Sequence, residues 1–269
     1  MRPVSAKLRI ATFLAPNMFP VYEFIVAAIG RELGRGAELV VGDSFDQFTR
    51  GEFDAGFICG LPYVQLARLA PAPVELLAAP VIRGDRYAGR PIYFSDVVVH
   101  RDSPVRTFAD LRGRSWAYND PDSHSGYNVS RHHLVKMGET RGFFGRVVEA
   151  GFHQKAMRMV AAGEVDAAAI DSQVLAIELR DVPAPAAKLR VIAALGPSTI
   201  QPVVAARHLS RDVKDALRNV LLRIGDDPEG RAELARGFVE RFVPVTDRDY
   251  DDIRMMLVAA ERAEFLTLA

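Results

Sequence analysis

The sequence predicts an α/β protein of two lobes, each a mixed, mostly parallel sheet flanked by helices, with two hinge crossings between them. Strand-like apolar runs alternate with helical patterns from residue 7 to residue 79, which is typical of a parallel sheet covered on both faces. A second alternating set follows over roughly residues 100–195, after a long β-favouring run at 92–99. The two sets predict two lobes.

Each element of the first set is predicted from local pattern. Apolar residues at helical spacing mark the first helix, and Gly34 ends it. Asp43-Ser44 precedes a short helix as a cap, and Pro62 suits the first turn of a third helix. The predicted strands are 7–14, 38–41, 54–59 and 74–79, and the predicted helices are 19–33, 45–49 and 60–69.

The second set follows the same alternation, and the chain then becomes helical. Asp171-Ser172 reads as a helix cap, and from Asp212 to the C-terminus the apolar spacing is helical. The predicted strands are 115–118, 146–150, 166–170, 189–195 and a returning strand at 201–206.

These patterns predict a discontinuous first lobe of residues 1–95 plus 201–269, and a second lobe of residues 96–200. The chain crosses between them near 90–100 and 195–205, and these crossings are expected to act as hinges. Clefts between lobes are preferred ligand sites, and hinge closure buries what is bound.

Composition excludes several classes of protein. Lys+Arg and Asp+Glu both number 34, so the balanced charge gives no support for nucleic-acid binding. Cys59 is the single cysteine; it cannot form an intrachain disulfide, and its apolar surroundings favour an inert buried thiol. The adjacent pair His132-His133 is a poor metal site, because neighbours on a helix point to different sides. The sequence thus predicts no metal site and no cofactor.

The sequence also indicates where the protein acts, with two alternatives left open. No stretch approaches the roughly 18 apolar residues that a transmembrane helix needs. Pro16, Asn17, Pro20 and Glu23 interrupt the apolar run that a signal peptide would require. The expectation is a periplasmic or extracytoplasmic protein if a leader was removed, and a cytoplasmic one if the sequence is full-length.

The segment Asp122-Ser123-His124-Ser125-Gly126 is the strongest candidate for a site. It lies between a strand-like run and a helical pattern, an arrangement that presents unpaired backbone N–H groups and a partial positive charge to an anion. Two hydroxyls add donors, and glycine permits close backbone approach. The alternative is that Ser123 or Ser125 is only an N-cap.

Four segments in register, over roughly residues 55–205, resemble the phosphonate- and phosphite-binding proteins of ABC transporters, a branch of the type 2 periplasmic-binding-protein fold. One is Gly60-Leu61-Pro62-Tyr63 with Ala67, and another is the run 93–99 followed by 110–113. The third is 122–126. The fourth comprises 151–156, 163–167 and 170–172.

The resemblance implies a ligand site for a small anion such as phosphonate, phosphite or phosphate. It implies that Ser123, Ser125 and the nearby N–H groups, Gly126 included, hold anionic oxygens and that His153 points at the anion. It further implies that Asp171 accepts a hydrogen bond from a protonated oxygen or an amine, and that Tyr63 and Tyr93 close the cleft. His124 stands where the family usually has threonine, which suggests a different or larger acid.

Each of these residues also has a purely structural interpretation. His153 could cap a helix or lie in the core, Asp171 could cap the helix that follows it, and the two tyrosines could be packing residues.

The leading functional hypothesis is a solute-binding protein that passes its anion to an ABC transporter permease. The first alternative is a cytoplasmic enzyme on the same fold, similar to those of the alternative menaquinone route, with His153 or His124 as base and a small carboxylate as substrate. No further catalytic signature supports the enzyme. The second alternative is a ligand-sensing subunit of a signalling system.

Overall fold

The computed structural model describes residues 7–268; residues 1–6 and 269 of the predicted first lobe lie outside the described residues. The sequence forms strands where β-branched and small apolar residues cluster between turns. The strands are β1 Leu8–Thr12, β2 Ala37–Val41, β3 Ala55–Phe57, β4 Val74–Ile82, β5 Ile92–His100, β6 Ser115–Tyr118, β7 Arg146–Glu149, β8 Ala167–Asp171, β9 Leu189–Thr199, β10 Val203–Ala206 and β11 Val239–Val243.

Helices connect most of these strands, as the alternation predicts. Pro lies in the first turn of the first helix, where its missing N–H costs nothing. The helices are α1 Phe19–Glu32, α2 Asp46–Thr49, α3 Gly60–Ala67, α4 Val129–Lys136, α5 His153–Ala162, α6 Ser172–Asp181, α7 Pro183–Ala186, α8 Arg211–Arg223, α9 Pro228–Arg236 and α10 Asp251–Arg262.

The chain divides into two units. The first contains the described residues up to Ile92 together with Thr199–Tyr250, and the second contains Tyr93–Ser198 together with the described residues from Asp251 onward. The first unit holds a six-stranded sheet in the order β11-β4-β10-β3-β1-β2. In that sheet β1 runs parallel to β2 and β3, while β10 and β11 run antiparallel to their neighbours.

The second unit holds a five-stranded sheet in the order β7-β6-β8-β5-β9. Strand β6 pairs in parallel with β7 and β8, and β8 pairs antiparallel with β5. Since β6 and β8 are parallel, their carboxyl ends lie at one edge of the sheet, where ligand sites of α/β folds commonly form.

An aromatic core supports the second sheet. Trp116 on β6 is completely buried and stacks on Phe144, with ring centroids 4.7 Å apart. Phe108 packs on both Trp116 and Phe143. Tyr127 of the turn that follows β6 and Val129 at the start of α4 belong to the same core. The closely packed core therefore anchors that turn.

The last helix differs from the expectation that residues 201–269 all belong with the first lobe. Helix α10 packs against α4, and Phe265 and Leu268 beyond it join the aromatic core of the second unit. The physical reason is apolar contact: Met256 and Ala263 pack against that core, and Ile253, Leu257 and Ala260 form a buried apolar stripe. Helical periodicity predicts such a stripe but does not say which surface it covers.

The expectation of an all-helical segment after Asp212 was wrong for Val239–Val243, which is a strand on the edge of the first sheet. Helix α9 ends at Arg236 with Gly237 as its C-cap, and Phe238 takes a left-handed conformation with φ 55°. The next residues are extended, and Val239 and Phe242 are buried. Two buried residues three positions apart are the spacing expected for a helix, so this short strand resembles a helical turn in its apolar pattern.

Among residues 7–268, no helix combines the length and the apolar character required to cross a membrane.

Candidate functional site

The segment 122–126 leads into a single π-helical turn, His124–Asn128, that continues into α4. Ser123 is its N-cap: its Oγ accepts a hydrogen bond from the N–H of Gly126 at 3.1 Å. Asp120 fixes the preceding loop, because its carbonyl oxygen accepts from the N–H of Ser123. The capping interpretation of Ser123 is therefore correct, and the amide of Gly126 is occupied by the protein itself.

Ser125 is the residue of this turn that other elements hold in place. Its carbonyl oxygen accepts a hydrogen bond from Oγ of Ser95 on β5, at 2.6 Å. Its own Oγ lies 3.0 Å from Nε2 of His153, the first residue of α5. Its N–H has no acceptor among the described residues. Ser125 thus presents a backbone donor and a hydroxyl at the carboxyl edge of β6.

His153 is buried, and its second ring nitrogen, Nδ1, has no hydrogen-bond partner within residues 7–268. Buried polar atoms are almost always paired in native proteins, so an unpaired one requires an explanation. Burial lowers the pKa of His153 from 6.5 to about 3. The ring is therefore neutral at physiological pH, with one nitrogen carrying a proton and the other a lone pair.

The start of α5 itself lacks a side-chain cap. Its N-cap residue is Phe152, which offers no hydrogen-bonding side chain, and no described residue accepts from the N–H groups of His153 or Gln154. Unpaired amides at a ten-residue helix N-terminus attract anions through direct hydrogen bonds and through the helix dipole. Together with His153 Nδ1, they form a cluster of unused polar groups.

His124 lies between two polar partners inside the second unit. Its Nε2 is 2.8 Å from Oγ of Ser198, and its Nδ1 is 3.2 Å from Nδ2 of Asn128. Burial lowers the pKa of His124 to about 3, and repulsion from the charge of a protonated His132 makes a smaller contribution. The site consequently holds two neutral histidines.

Gly126 is required by close contact rather than by an unusual backbone angle. A Cβ atom at this position would lie 1.8 Å from Oδ1 of Asn119 and 3.0 Å from its Cγ. Asn119 follows β6 directly, so the end of that strand packs tightly against the turn. Glycine was expected to permit close approach of a ligand to the backbone; here the group that approaches Gly126 closely is the side chain of Asn119.

Asp171 ends β8 and caps α6. Its Oδ1 accepts hydrogen bonds from the N–H groups of Gln173 at 2.7 Å and Val174 at 3.2 Å. In the sheet it lies opposite Ser95, the residue that holds Ser125. The cap is thus its structural role, and the contact of Asp171 with a ligand stays a prediction.

The two tyrosines lie in different units. Tyr93 is in the second unit, with its ring centroid 6.3 Å from the ring of His124. Tyr63 is in the first unit, where its hydroxyl donates to Oδ1 of Asp247 at 2.8 Å and its ring packs on Tyr250. Both are buried, as a packing role requires, and their contact with a ligand stays a prediction.

Sequence reasoning missed Ser95, Asn128 and Ser198. The predicted strand 189–195 ends before Ser198, whereas β9 continues to Thr199 and includes it. Its partner His124 is 74 residues away in the sequence, and no local pattern shows such a pairing. Asn128 carries a weak signal, since it lies four residues after His124 and hence on the same helical face.

The candidate site is therefore built from one unit: Ser123, His124, Ser125, Gly126, His153 and Tyr93, with Asp171 on the adjoining strand. Among the described residues no group of three or more His, Cys, Asp or Glu side chains is arranged to hold a metal ion.

Comparison with known proteins identifies the family. A family model described as "ABC transporter, phosphonate, periplasmic substrate-binding protein" matches residues 10–250. The chain belongs to this family. The resemblance predicted from the four segments is confirmed, and because the family consists of transporter substrate-binding proteins, it favours a binding protein over the enzyme alternative.

A curated relative is the phosphonates-binding periplasmic protein of Escherichia coli (strain K12). It is 29% identical over 153 residues, which are 55% of this chain and 45% of that protein. The chain thus spans somewhat less than half the length of the curated relative that it matches.

Solved structures confirm the fold class. A binding protein component of an ABC phosphonate transporter from Pseudomonas aeruginosa has a TM-score of 0.85 and 19% identity, over 97% of this chain and 88% of that one. PhnD1 from Prochlorococcus marinus, solved in complex with methylphosphonate, has a TM-score of 0.78 and 17% identity, over 96% and 98% of the two chains.

Proposed function

We propose that this protein is a solute-binding protein that captures a small oxyanion, of the phosphonate, phosphite or phosphate class, and delivers it to the permease of an ABC transporter. The observation that carries the proposal is the start of α5, where a ring nitrogen of buried His153 and two backbone amides have no hydrogen-bond partner in the described part of the chain. Membership of the phosphonate-binding family supports the same ligand class.

The available groups suit an oxyanion. The N–H groups of Ser125, His153 and Gln154 can only donate. When the Ser125 hydroxyl donates to Nε2 of His153, the proton of that neutral ring resides on Nδ1, which is then a fourth donor. Hydrogen bonds to a charged oxygen contribute about 1.5–3 kcal/mol each, because the ionised partner strengthens them. Three or four such bonds suffice for tight binding without a fully charged side chain.

His124 is the feature that sets this chain apart from the family pattern of threonine at this position. A buried, neutral imidazole replaces a small hydroxyl between Ser123 and Ser125. We infer that the ligand is held by different donors on this side, so that preference among methylphosphonate, phosphite and phosphate differs from that of a threonine-containing relative.

The pair Ser125 and His153, at 3.0 Å, has the geometry of a nucleophile and its base. A general base works best when its pKa is near the working pH. The pKa of His153 is about 3, which makes it a very weak base at neutral pH. The same neutral ring is well suited to donate to, or be aligned by, a bound anion.

We further propose a periplasmic or other extracytoplasmic location, on the strength of the family alone. Fractionation of the native cells with an antibody against the protein tests this location. Recovery in the cytosolic fraction would contradict it.

Titration calorimetry tests the proposed function. The purified protein is titrated with methylphosphonate, phosphite, phosphate, sulfate and acetate, and saturable one-to-one binding is expected for at least one phosphorus oxyanion. Phosphorus NMR of the mixture should show the ligand unchanged after hours, since a binding protein does not consume it.

His153→Ala is the informative variant, and His100→Ala is its control in the same unit. Loss of the His153 contact should weaken binding about 10- to 100-fold, as expected for one hydrogen bond to a charged oxygen. His100 lies at the end of β5 and interacts with Asp102, so its replacement should leave the affinity within twofold. The proposal would be contradicted if the wild-type protein bound none of the phosphorus oxyanions, or if it converted the ligand chemically.

A further inference from the structure

A chain of hydrogen bonds runs from the C-terminal segment of the protein to Ser198. It passes from the carbonyl oxygen of Leu266 through Arg131 and Asn128 to His124, and from His124 to Ser198. All of its side chains are buried, with Ser198 only 3% and His124 only 1% exposed. Because the members are shielded from water, the direction of each hydrogen bond is determined by the partners in the chain.

Arg131 fixes one end of the chain. Its Nη1 donates to the carbonyl oxygen of Leu266 at 2.8 Å, and its guanidinium lies 4.9 Å from the ring centroid of Tyr127. The hydroxyl of Tyr127 accepts from the N–H of Leu268 at 3.2 Å. Arg131 is thereby held between the π-helical turn and the C-terminal segment.

The guanidinium determines the orientation of the Asn128 amide. Nη2 of Arg131 lies 3.0 Å from Oδ1 of Asn128, and a guanidinium has only donors. If the amide were turned over, its NH₂ group would face this donor, and both would lose their partner. Oδ1 therefore faces Arg131, and the NH₂ group faces His124.

The Asn128 amide in turn determines the tautomer of His124. Nδ2 of Asn128 can only donate, so Nδ1 of His124, at 3.2 Å, must accept. In a neutral imidazole the proton then resides on Nε2. Nε2 lies 2.8 Å from Oγ of Ser198, which must accept that hydrogen bond.

This order leaves the hydroxyl hydrogen of Ser198 pointing away from His124. Within residues 7–268 no other hydrogen-bond partner contacts this side chain, so its hydrogen has no protein acceptor. Ser198 lies on β9, where the backbone does not offer the i−4 carbonyl that serines use in helices. A buried donor without an acceptor lowers the stability of the fold unless another group, such as a ligand, accepts its hydrogen bond.

We propose that Ser198 is a further ligand-contacting residue, which donates its hydroxyl hydrogen to an oxygen of the bound anion, and that Asn128 and Arg131 are positioning residues that hold His124 in the tautomer that leaves this hydrogen available. The inference rests on the proposed function and deepens it. It specifies an oxygen that accepts a hydrogen bond at this position, and it disfavours a protonated oxygen or an amine there.

The first test compares Ser198→Ala with Ser130→Ala, using methylphosphonate and inorganic phosphate as probes in titration calorimetry. Ser130 is a buried serine of the same unit that takes no part in this chain of hydrogen bonds, and its Oγ has no partner within residues 7–268, so its replacement should leave the affinity within twofold. Ser198→Ala should weaken binding of the probe that the wild-type protein binds best by about 10- to 100-fold. An affinity within twofold of the wild type would overturn the inference.

The second test reverses the hydrogen-bond order. In Asn128→Asp the side chain still pairs with Arg131 but can only accept, so the His124 proton should move to Nδ1. Nε2 of His124 then accepts a hydrogen bond from the Ser198 hydroxyl, so this hydroxyl no longer donates to the ligand. We expect nitrogen-15 NMR to show the Nε2–H tautomer of His124 in the wild type and the Nδ1–H tautomer in the variant.

The two substitutions should be non-additive, because they remove the same donor. The double variant Ser198→Ala, Asn128→Asp should bind no more than about twofold more weakly than Asn128→Asp. Full additivity would refute this hydrogen-bond relay from Arg131 to Ser198. An Nδ1–H tautomer in the wild type would refute it even if Ser198→Ala did not fold. If the wild-type protein binds no phosphorus oxyanion, both the proposed function and this inference fail. If the wild type binds one and Ser198→Ala binds it equally well, this inference alone fails.

Discussion

Oγ of Ser95 donates a hydrogen bond to the main-chain carbonyl oxygen of Ser125 at a distance of 2.6 Å. Ser95 belongs to the middle of a strand that pairs with β8, and it lies opposite Asp171 in that pair. A side chain of the rigid sheet thus holds the backbone of the turn that carries Ser123, His124 and Ser125. This bond fixes the position of the Ser125 amide and hydroxyl.

Ser95→Ala should weaken both the fold and the site. The buried carbonyl of Ser125 would lose its partner, which typically costs about 1–3 kcal/mol of unfolding free energy. Urea unfolding measures that loss, and calorimetry with methylphosphonate should show weaker binding at the same time. Ser130→Ala is the matched control, because the buried Oγ of Ser130 forms no hydrogen bond with any described residue. Equal stability of the two variants would show that the Ser95 bond does not hold the turn.

Gly126→Ala should destabilise the turn through a clash with Asn119. A Cβ atom would lie 1.8 Å from Oδ1 of Asn119, and relieving such a contact in a packed region costs about 1–3 kcal/mol. Replacing Asn119 by Ala in the same chain should recover part of the loss, because the clashing atom is then gone. Chemical denaturation of the two single variants and the double variant measures this coupling.

The control for Gly126→Ala is Gly225→Ala, where a Cβ atom would be 3.6 Å from its nearest neighbours, an ordinary contact. Stability of Gly225→Ala should remain close to that of the wild type. A Gly126→Ala protein as stable as this control, or a double variant no more stable than Gly126→Ala alone, would contradict the packing argument.

The site illustrates what a single sequence reveals. The positions of Ser123, Ser125 and His153 at helix starts could be predicted, because short-range signals mark them, namely a hydroxyl, a glycine and the end of an apolar strand. The relay through His124 and Ser198 could not be predicted, since it depends on the register of β9 against the rest of its sheet. Local pattern identifies where donors occur but not which donors the protein itself uses.

The same distinction applies to the fold. The alternation of strands and helices was visible because it repeats over short stretches with periods of about 2 and 3.6 residues. The destination of α10 was not visible, because Ile253, Leu257 and Ala260 would form the same apolar stripe against any surface. Likewise, Val239–Val243 is too short for its period to separate strand from helix.

Acidification should destabilise the protein through its two buried histidines. His124 and His153 have a pKa of about 3 in the folded chain, because burial disfavours the charged ring, against 6.5 for an ordinary histidine. The unfolded chain therefore binds protons that the folded chain excludes, so stability is lost as pH falls below about 6.5, and the loss is complete near 3. Between pH 7 and 4.5 each histidine should contribute a loss of roughly 2 to 3 kcal/mol.

Urea unfolding at pH 7 and pH 4.5 measures this effect when the wild type is compared with His153→Asn. Asparagine retains a polar side chain but does not titrate, so the variant should lose less stability on acidification, by the share of one histidine. Carboxyl groups contribute equally to both proteins and cancel in the comparison. An identical pH dependence would mean that His153 is protonated freely in the folded chain.

Two residues of α10 test whether this helix supports the second unit. Leu257 is 5% exposed, whereas Met255 on the same helix is 65% exposed. Leu257→Ala should cost about 2–5 kcal/mol, because it removes a buried side chain and leaves a cavity. Met255→Ala should change stability by less than about 0.5 kcal/mol, as surface substitutions usually do.

Hydrogen exchange shows which elements lose stability in the Leu257→Ala variant. Amides of α4 and of the π-helical turn should exchange faster in this variant, since α10 packs against both. Methylphosphonate should protect them, because a ligand that binds only the folded state raises the free energy of opening. Faster exchange confined to the first sheet would place α10 with the first unit, as the sequence alone had suggested, and would contradict the packing seen here.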